Sequence, residues 1–219
     1  MATRVSSARF VGRVDQLAEL CSALEDAAAS HPSLAFVAGE SGSGKTRLIG
    51  ELASRAREAG ALVLSGDCVE LGEGELPYAP LIAALRPLVR AHHAALAALD
   101  ASQLADLATV IPGTGEPSAE APVEQVRVFE ALLALLELLG EDAAVLLVVE
   151  DVHWADSSTR GFLSFLTRTL CDERLLVVAS YRSDELHRRH PLRPLLAEVV
   201  RDRFPRMVEI PLLSPEEMI

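Results

Sequence analysis

Asparagine is missing from the chain, and lysine occurs once, at Lys45, against 19 arginines. Aromatic residues make up only 4%, so any core must be aliphatic. The three cysteines, Cys21, Cys68 and Cys171, are scattered, with no CxxC or Cys/His cluster. That excludes a disulfide frame and a structural zinc site, and it fits a reducing, cytoplasmic setting. Long apolar runs are lacking too. The longest, Ala143–Val149, falls far short of the ~20 residues that cross a bilayer, so no membrane contact is expected. Met1 to Arg9 is polar and basic with no apolar stretch behind it, so no signal peptide is expected. Positive charge is scarce: Lys+Arg is 20 against Asp+Glu 32, a net charge of −12. Such a surface repels phosphate backbones, so direct nucleic-acid binding by this segment is not expected. Any anion it binds must be held by a local device.

What is present suffices for one α/β domain. The length is 219 residues, half of them apolar. That is too many for disorder and too few for two domains of ordinary size. A helical stripe runs from Val14 to Ala29, with Leu17, Leu20, Leu24 and Ala28 on one face. Short apolar runs bounded by Gly or acid read as strands: Leu34–Ala38, Ala61–Ser65, Ala143–Glu150, Leu175–Ser180 and Met207–Ile210. Between them lie helical patterns at about Lys45–Glu58, Tyr78–Leu99, Ser102–Val110, Val123–Leu139, Asp156–Leu170 and Pro191–Arg201. Pro80 and Pro87 predict a late start or a kink in the second of these. Gly66–Pro77 and Ile111–Pro122 read as loops. Strands that are apolar throughout and alternate with helices imply a parallel sheet covered on both faces. The domain is expected to occupy residues 1–213, with an N-terminal segment and helix at 10–31 and the core at 34–213. Ser214-Pro-Glu-Glu217 has the signature of a helix start. Residues 214–219 are therefore expected to open a further domain.

Gly39-Glu40-Ser41-Gly42-Ser43-Gly44-Lys45-Thr46 matches GxxxxGK(S/T), placed between a strand and a helix as that motif requires. Glycines let the backbone curl until successive N–H groups face phosphate oxygens, and the helix N-terminus adds partial positive charge. Lys45 is expected to reach the β- and γ-phosphates and the Thr46 hydroxyl to ligate Mg²⁺. The only lysine of an arginine-rich chain stands where a compact ammonium is needed and a planar guanidinium would not serve. These eight residues, with Arg47 behind them, are the nucleotide-binding candidates. The strand Val145–Val149 ends in Glu150 and Asp151, an acidic pair suited to a metal shell and an attacking water. Arg182, at the end of the strand Leu175–Ser180, is the candidate for sensing the γ-phosphate, or else a surface partner of Asp184 or Glu185. These elements make up a P-loop NTPase site.

Taken together, Phe10-Val-Gly-Arg13, the phosphate loop, Leu146–Asp156 (LLVVEDVHWAD), Ser180–Glu185 (SYRSDE) and His187–Leu196 (HRRHPLRPLL) resemble a known module. It is the N-terminal ATPase module of large actinobacterial LuxR-type transcriptional regulators, within the AAA+-related signal-transduction ATPases with numerous domains. The resemblance implies a three-layer sandwich with a five-stranded parallel sheet ordered 5-1-4-3-2. It implies ATP with Mg²⁺, and a switch in which ATP binding opens or oligomerises the protein and hydrolysis resets it. Val11, Gly12 and Arg13 would border the adenine and ribose. Thr46 and Glu150 would hold the metal, Asp151 would direct the water, and Lys45 and Arg182 would complete the catalytic set. ATP, ADP, further C-terminal domains and other copies of the module are the partners this implies. Many relatives carry Asp before Glu where this chain has Glu150 before Asp151. An Asp is one methylene shorter, and a misplacement of about an ångström can cost ~100-fold, so slow hydrolysis is expected. The lid domain and the DNA-binding helix-turn-helix of the family have no counterpart up to Ile219, so weak ATP binding is expected of this segment.

Other residues have plainer readings. His153 packs or caps near the site, Trp154 anchors its loop, and Asp156 caps a helix. His92 and His93 are solvated on a helix. Arg188, Arg189 and Arg193 form a charged face, with an arginine finger as the alternative. GTP is disfavoured because a chain without Asn has no NKxD motif. A nucleotide clamp without turnover, and a P-loop small-molecule kinase, remain as competing functions.

Overall fold

A computed structural model describes residues 12–70, 76–117, 124–200 and 206–212. The strands are β1 (Ser33–Gly39), β2 (Leu62–Asp67), β3 (Val145–Glu150), β4 (Leu175–Arg182) and β5 (Arg206–Glu209). The helices are α1 (Val14–Ala28), α2 (Lys45–Glu58), α3 (Ala79–Arg90), α4 (Ala94–Ala98), α5 (Ala101–Ala108), α6 (Gln125–Asp142), α7 (Ser157–Thr169) and α8 (Arg193–Val199). All strand pairs are parallel, in the order β2-β3-β4-β1-β5. From the other edge this is 5-1-4-3-2, the order that the resemblance implies.

Strand alternation splits the interior into two cores. Ala35, Val37, Leu146, Val148, Leu176 and Val178 face α1 and α2, meeting Leu17, Leu20, Leu48 and Leu52. Leu34, Phe36, Val145, Leu147, Leu175 and Val177 face the opposite way, toward α3, α6, α7 and α8. The aromatics among the described residues concentrate on that second face. Phe129 of α6 lies 5.6 Å from Phe162 and 5.5 Å from Phe165, both on α7, with Tyr78 at 6.2 Å.

Three local departures from the sequence reading have physical causes. The stretch expected as one helix from Tyr78 to Leu99 forms α3 and α4, because His92 takes a left-handed φ of 48°. His93 then opens α4, its Nδ1 accepting the Ala95 N–H. Thus the histidine pair lies between helices, and His93 is a cap. Pro80 falls in the first turn of α3, where its missing N–H is harmless, and Pro87 sits inside the helix without ending it. Both Pro87 and Ala83, whose carbonyl it leaves unbonded, are exposed, so water can replace the lost bond. Finally, β2 runs two residues past Ser65, through Gly66 and Asp67. The α3 backbone crosses directly over Gly66: a Cβ there would lie 1.9 Å from the Pro80 carbonyl oxygen.

The chain leaves β1 through α2 on one face and leaves β4 toward α8 on the other. The crevice at the carboxyl ends of β1 and β4 is therefore the topological switch point, where open α/β sheets bind ligands. Residues 214–219, read as the start of a further domain, lie outside the described residues.

Candidate functional site

The carboxyl end of β1 turns directly into the phosphate loop. Gly42 and Gly44 take φ values of 78° and 96°, which side chains disfavour, and α2 starts at Lys45. The Lys45 side chain is buried under the loop. Its Nζ donates to Gly39 O at 2.8 Å and to Glu40 O at 2.9 Å. Burial pushes this ammonium below its ordinary pKa, and the Asp151 carboxylate works against that. Glu40, Ser41, Gly42, Gly44, Thr46 and Arg47 are exposed along the loop and the first turn of α2. Ser43 is buried, and its Oγ has no hydrogen-bond partner among the described residues.

At the end of β3, Glu150 stands close enough to the Thr46 hydroxyl for that group to lower its pKa, which brings both metal candidates together. Burial raises the Glu150 pKa, and the nearby carboxylates of Asp67 and Asp151 push it further. Asp151 leaves the strand in a left-handed conformation, φ 55°. Its backbone N–H donates to Ser180 Oγ at 3.1 Å. The donor set is oxygen only, hydroxyl and carboxylate, which suits a hard Mg²⁺ shared with substrate phosphates. Among the described residues no group of three or more His, Cys, Asp or Glu side chains could hold a metal unaided. The residues present therefore fit a Mg-nucleotide and not a self-sufficient metal centre.

Arg182 pairs in register with Gly39, one strand away from the start of the loop. Its guanidinium bonds Glu185 Oε1 at 2.6 Å, one of the two partners named for it from sequence, and lies over the Trp154 ring. His153 is wholly buried, which lowers its pKa against the pull of Asp151 and Glu185. Asp156 caps α7 through the N–H groups of Ser158 and Thr159 and also accepts the Tyr78 N–H. Arg13 reaches the loop from the N-terminal side. Its Nη2 donates to Ser43 O at 3.3 Å and to the Pro211 carbonyl. Gly12 precedes it, and Val11 lies outside the described residues. Arg188, Arg189 and Arg193 follow β4; Arg193 donates to the carbonyls of Leu186 and His187.

The sequence reading does not include Asp67 or Ser180 among the site residues. Asp67 is the register partner of Glu150 and became visible only when β2 proved longer. Ser180, 1% exposed, had a signal: a lone hydroxyl in an otherwise apolar strand. Glu185, expected from sequence as a surface partner of Arg182, is that partner and also lies beside the buried His153.

The fold, the glycine loop and the acidic strand end define a P-loop NTPase. Residues 9–178 match the AAA ATPase domain, and the chain belongs to that family. Such domains bind ATP, typically with Mg²⁺. Among solved structures, the Aeropyrum pernix ORC1 protein in complex with DNA aligns with a TM-score of 0.50 at 18% identity, over 96% of this chain and 48% of that one. A DNA replication initiation factor aligns at 0.45 and 16% identity, over 96% and 50%. The replication initiator DnaA bound to AMPPCP and single-stranded DNA aligns at 0.46 and 16%, over 94% and 49%. The first of these likenesses concerns the fold alone, and the chain spans about half the length of each structure. No curated protein matches.

Proposed function

We propose that this chain is the ATP-binding, slowly hydrolysing switch module of a LuxR-type transcriptional regulator, with Mg-ATP controlling its conformation or assembly. One observation carries the nucleotide reading. The single lysine of the chain lies buried beneath the phosphate loop, beside a Thr46–Glu150 pair of oxygen donors. Bound Mg²⁺ would neutralise developing phosphate charge. Thr46 and Glu150 would hold it. Lys45 would exchange its two backbone carbonyls for phosphate oxygens. Asp151 would orient the attacking water, and its short reach sets the slow rate. Gly12 and Arg13 would lie at the nucleoside end, with Val11 before them. The regulatory context rests on the spaced motifs from Phe10 to Leu196, and the net charge of −12 supports a module that leaves DNA contact to other domains.

The test is calorimetry and phosphate release with Mg-ATP. Lys45→Ala is expected to abolish nucleotide binding. Asp151→Asn is expected to retain binding and lose turnover by ~100-fold or more. An unchanged rate in Asp151→Asn would remove Asp151 from the water-directing role. Binding without any release, repeated in a chain extended past Ile219, would make the module a clamp.

A further inference from the structure

Arg182 is well placed for the phosphate loop but is bonded elsewhere. Its backbone stands beside Gly39, and the Ser183 N–H donates to Gly39 O at 3.3 Å. Yet Nη1 donates to Glu185 Oε1 at 2.6 Å, and the guanidinium carbon lies 5.1 Å from the centre of the Trp154 ring. The second Glu185 oxygen, Oε2, lies 3.2 Å from His153 Nε2, without the alignment of a hydrogen bond. His153 Nδ1 accepts the Arg182 backbone N–H at 3.4 Å, so the proton of the neutral ring sits on Nε2, the nitrogen nearer Glu185. The His153 and Trp154 rings pack 4.6 Å apart. One carboxylate thus stands between two nitrogen partners. It bonds Arg182 now and has His153 within reach.

We propose that Glu185 and Trp154 form a resting cradle for Arg182, which the terminal phosphate of ATP empties and ADP does not. The inference rests on the phosphate-site reading above. The cradle makes Glu185 a positioning residue that sets the preference for triphosphate over diphosphate. A ligand shifts such an equilibrium only through differential contacts with its two states. The γ-phosphate supplies that difference, because it alone competes with Glu185 for the guanidinium. His153 makes the released state tolerable, since the half-buried carboxylate can turn to Nε2 instead of standing unpaired. Trp154 gives up only a cation–π contact, a minor loss at a partly exposed site.

Trp154 is the only tryptophan of the chain, so its emission reads the cradle without a label. With Mg²⁺ present, a non-hydrolysable ATP analogue is expected to change that emission, and ADP to leave it as in the free protein. Nucleotide-free Arg182→Gln is expected to show the emission of the analogue-bound wild type and no further response. Calorimetry on Glu185→Gln, which keeps the side-chain shape, is expected to show about fivefold tighter ATP binding and unchanged ADP binding. In an Arg182→Gln background the same change is expected to do nothing.

Four results would overturn the cradle. Trp154 emission could answer ATP and ADP alike. Glu185→Gln could tighten both nucleotides equally, or act equally without Arg182, either of which is plain charge repulsion. Failure of the wild type to bind either nucleotide would instead strike the phosphate-site reading. The nucleotide-free comparison of wild type with Arg182→Gln then still decides, and identical spectra would exclude the cradle.

Discussion

At the scale of single residues, Glu150 shows the conflict between stability and chemistry. Burial raises its pKa, so the protonated form favours the folded state. Its contribution is fully stabilising below the pKa of the unfolded chain and is lost as pH rises through the folded value. Wherever the carboxylate is ionised it is therefore a burden that a bound cation would relieve. Glu150→Gln has the same shape without the charge. It is expected to melt a few degrees higher than wild type at pH 7, with the gap closing in acid, and to lose its response to Mg²⁺. Thermal unfolding across pH, with and without the metal, measures both. A variant that melts lower at neutral pH would show that Glu150 is held by attraction and not strained by burial. Cys68 is a contrasting case: burial pushes its thiol up to about 12, which leaves it inert.

At the scale of elements, the strands were largely legible because runs such as Val145–Val149 are apolar at every position, as a doubly covered sheet requires. Boundaries were less legible where a neighbour decides them. Gly66 looks like a turn residue in sequence and is a strand residue in the fold, chosen because α3 crosses over it. Gly66→Ala is expected to displace the start of α3 and destabilise the chain by about 3 kcal/mol, the upper part of the usual range for overpacking. Denaturant unfolding measures it, and a loss under about 0.5 kcal/mol would mean that α3 yields freely. The same holds for α3 itself. Pro87 reads as a breaker, yet it is tolerated on a solvent-facing side that no local pattern announces.

At the scale of the whole molecule, the parallel pairing of β1, β3 and β4 carries their carboxyl ends to one edge, which brings residues 39–46, 150–151 and 180–185 into one place. A ligand that binds there only in the folded state stabilises the chain by mass action. Mg-ATP at 100 times its Kd contributes about 2.7 kcal/mol. For a chain of this size that corresponds to a rise in Tm of about 5–10 °C. A thermal shift with Mg-ATP measures it, and Lys45→Ala is expected to show none. An equal shift in that variant would place the nucleotide somewhere other than the phosphate loop.

The amino-acid order alone determined the phosphate loop, the acidic strand end and the parallel, doubly covered sheet. Each depends on local spacing or on residues that must be apolar wherever they pack. Tertiary structure decided which groups share a charge. Whether Arg182 meets a phosphate or Glu185, whether Asp67 joins Glu150, and whether His153 lies buried between two acids depend on distances across strands. Electrostatic energies vary with those separations and with solvent access, and neither quantity can be read along the chain.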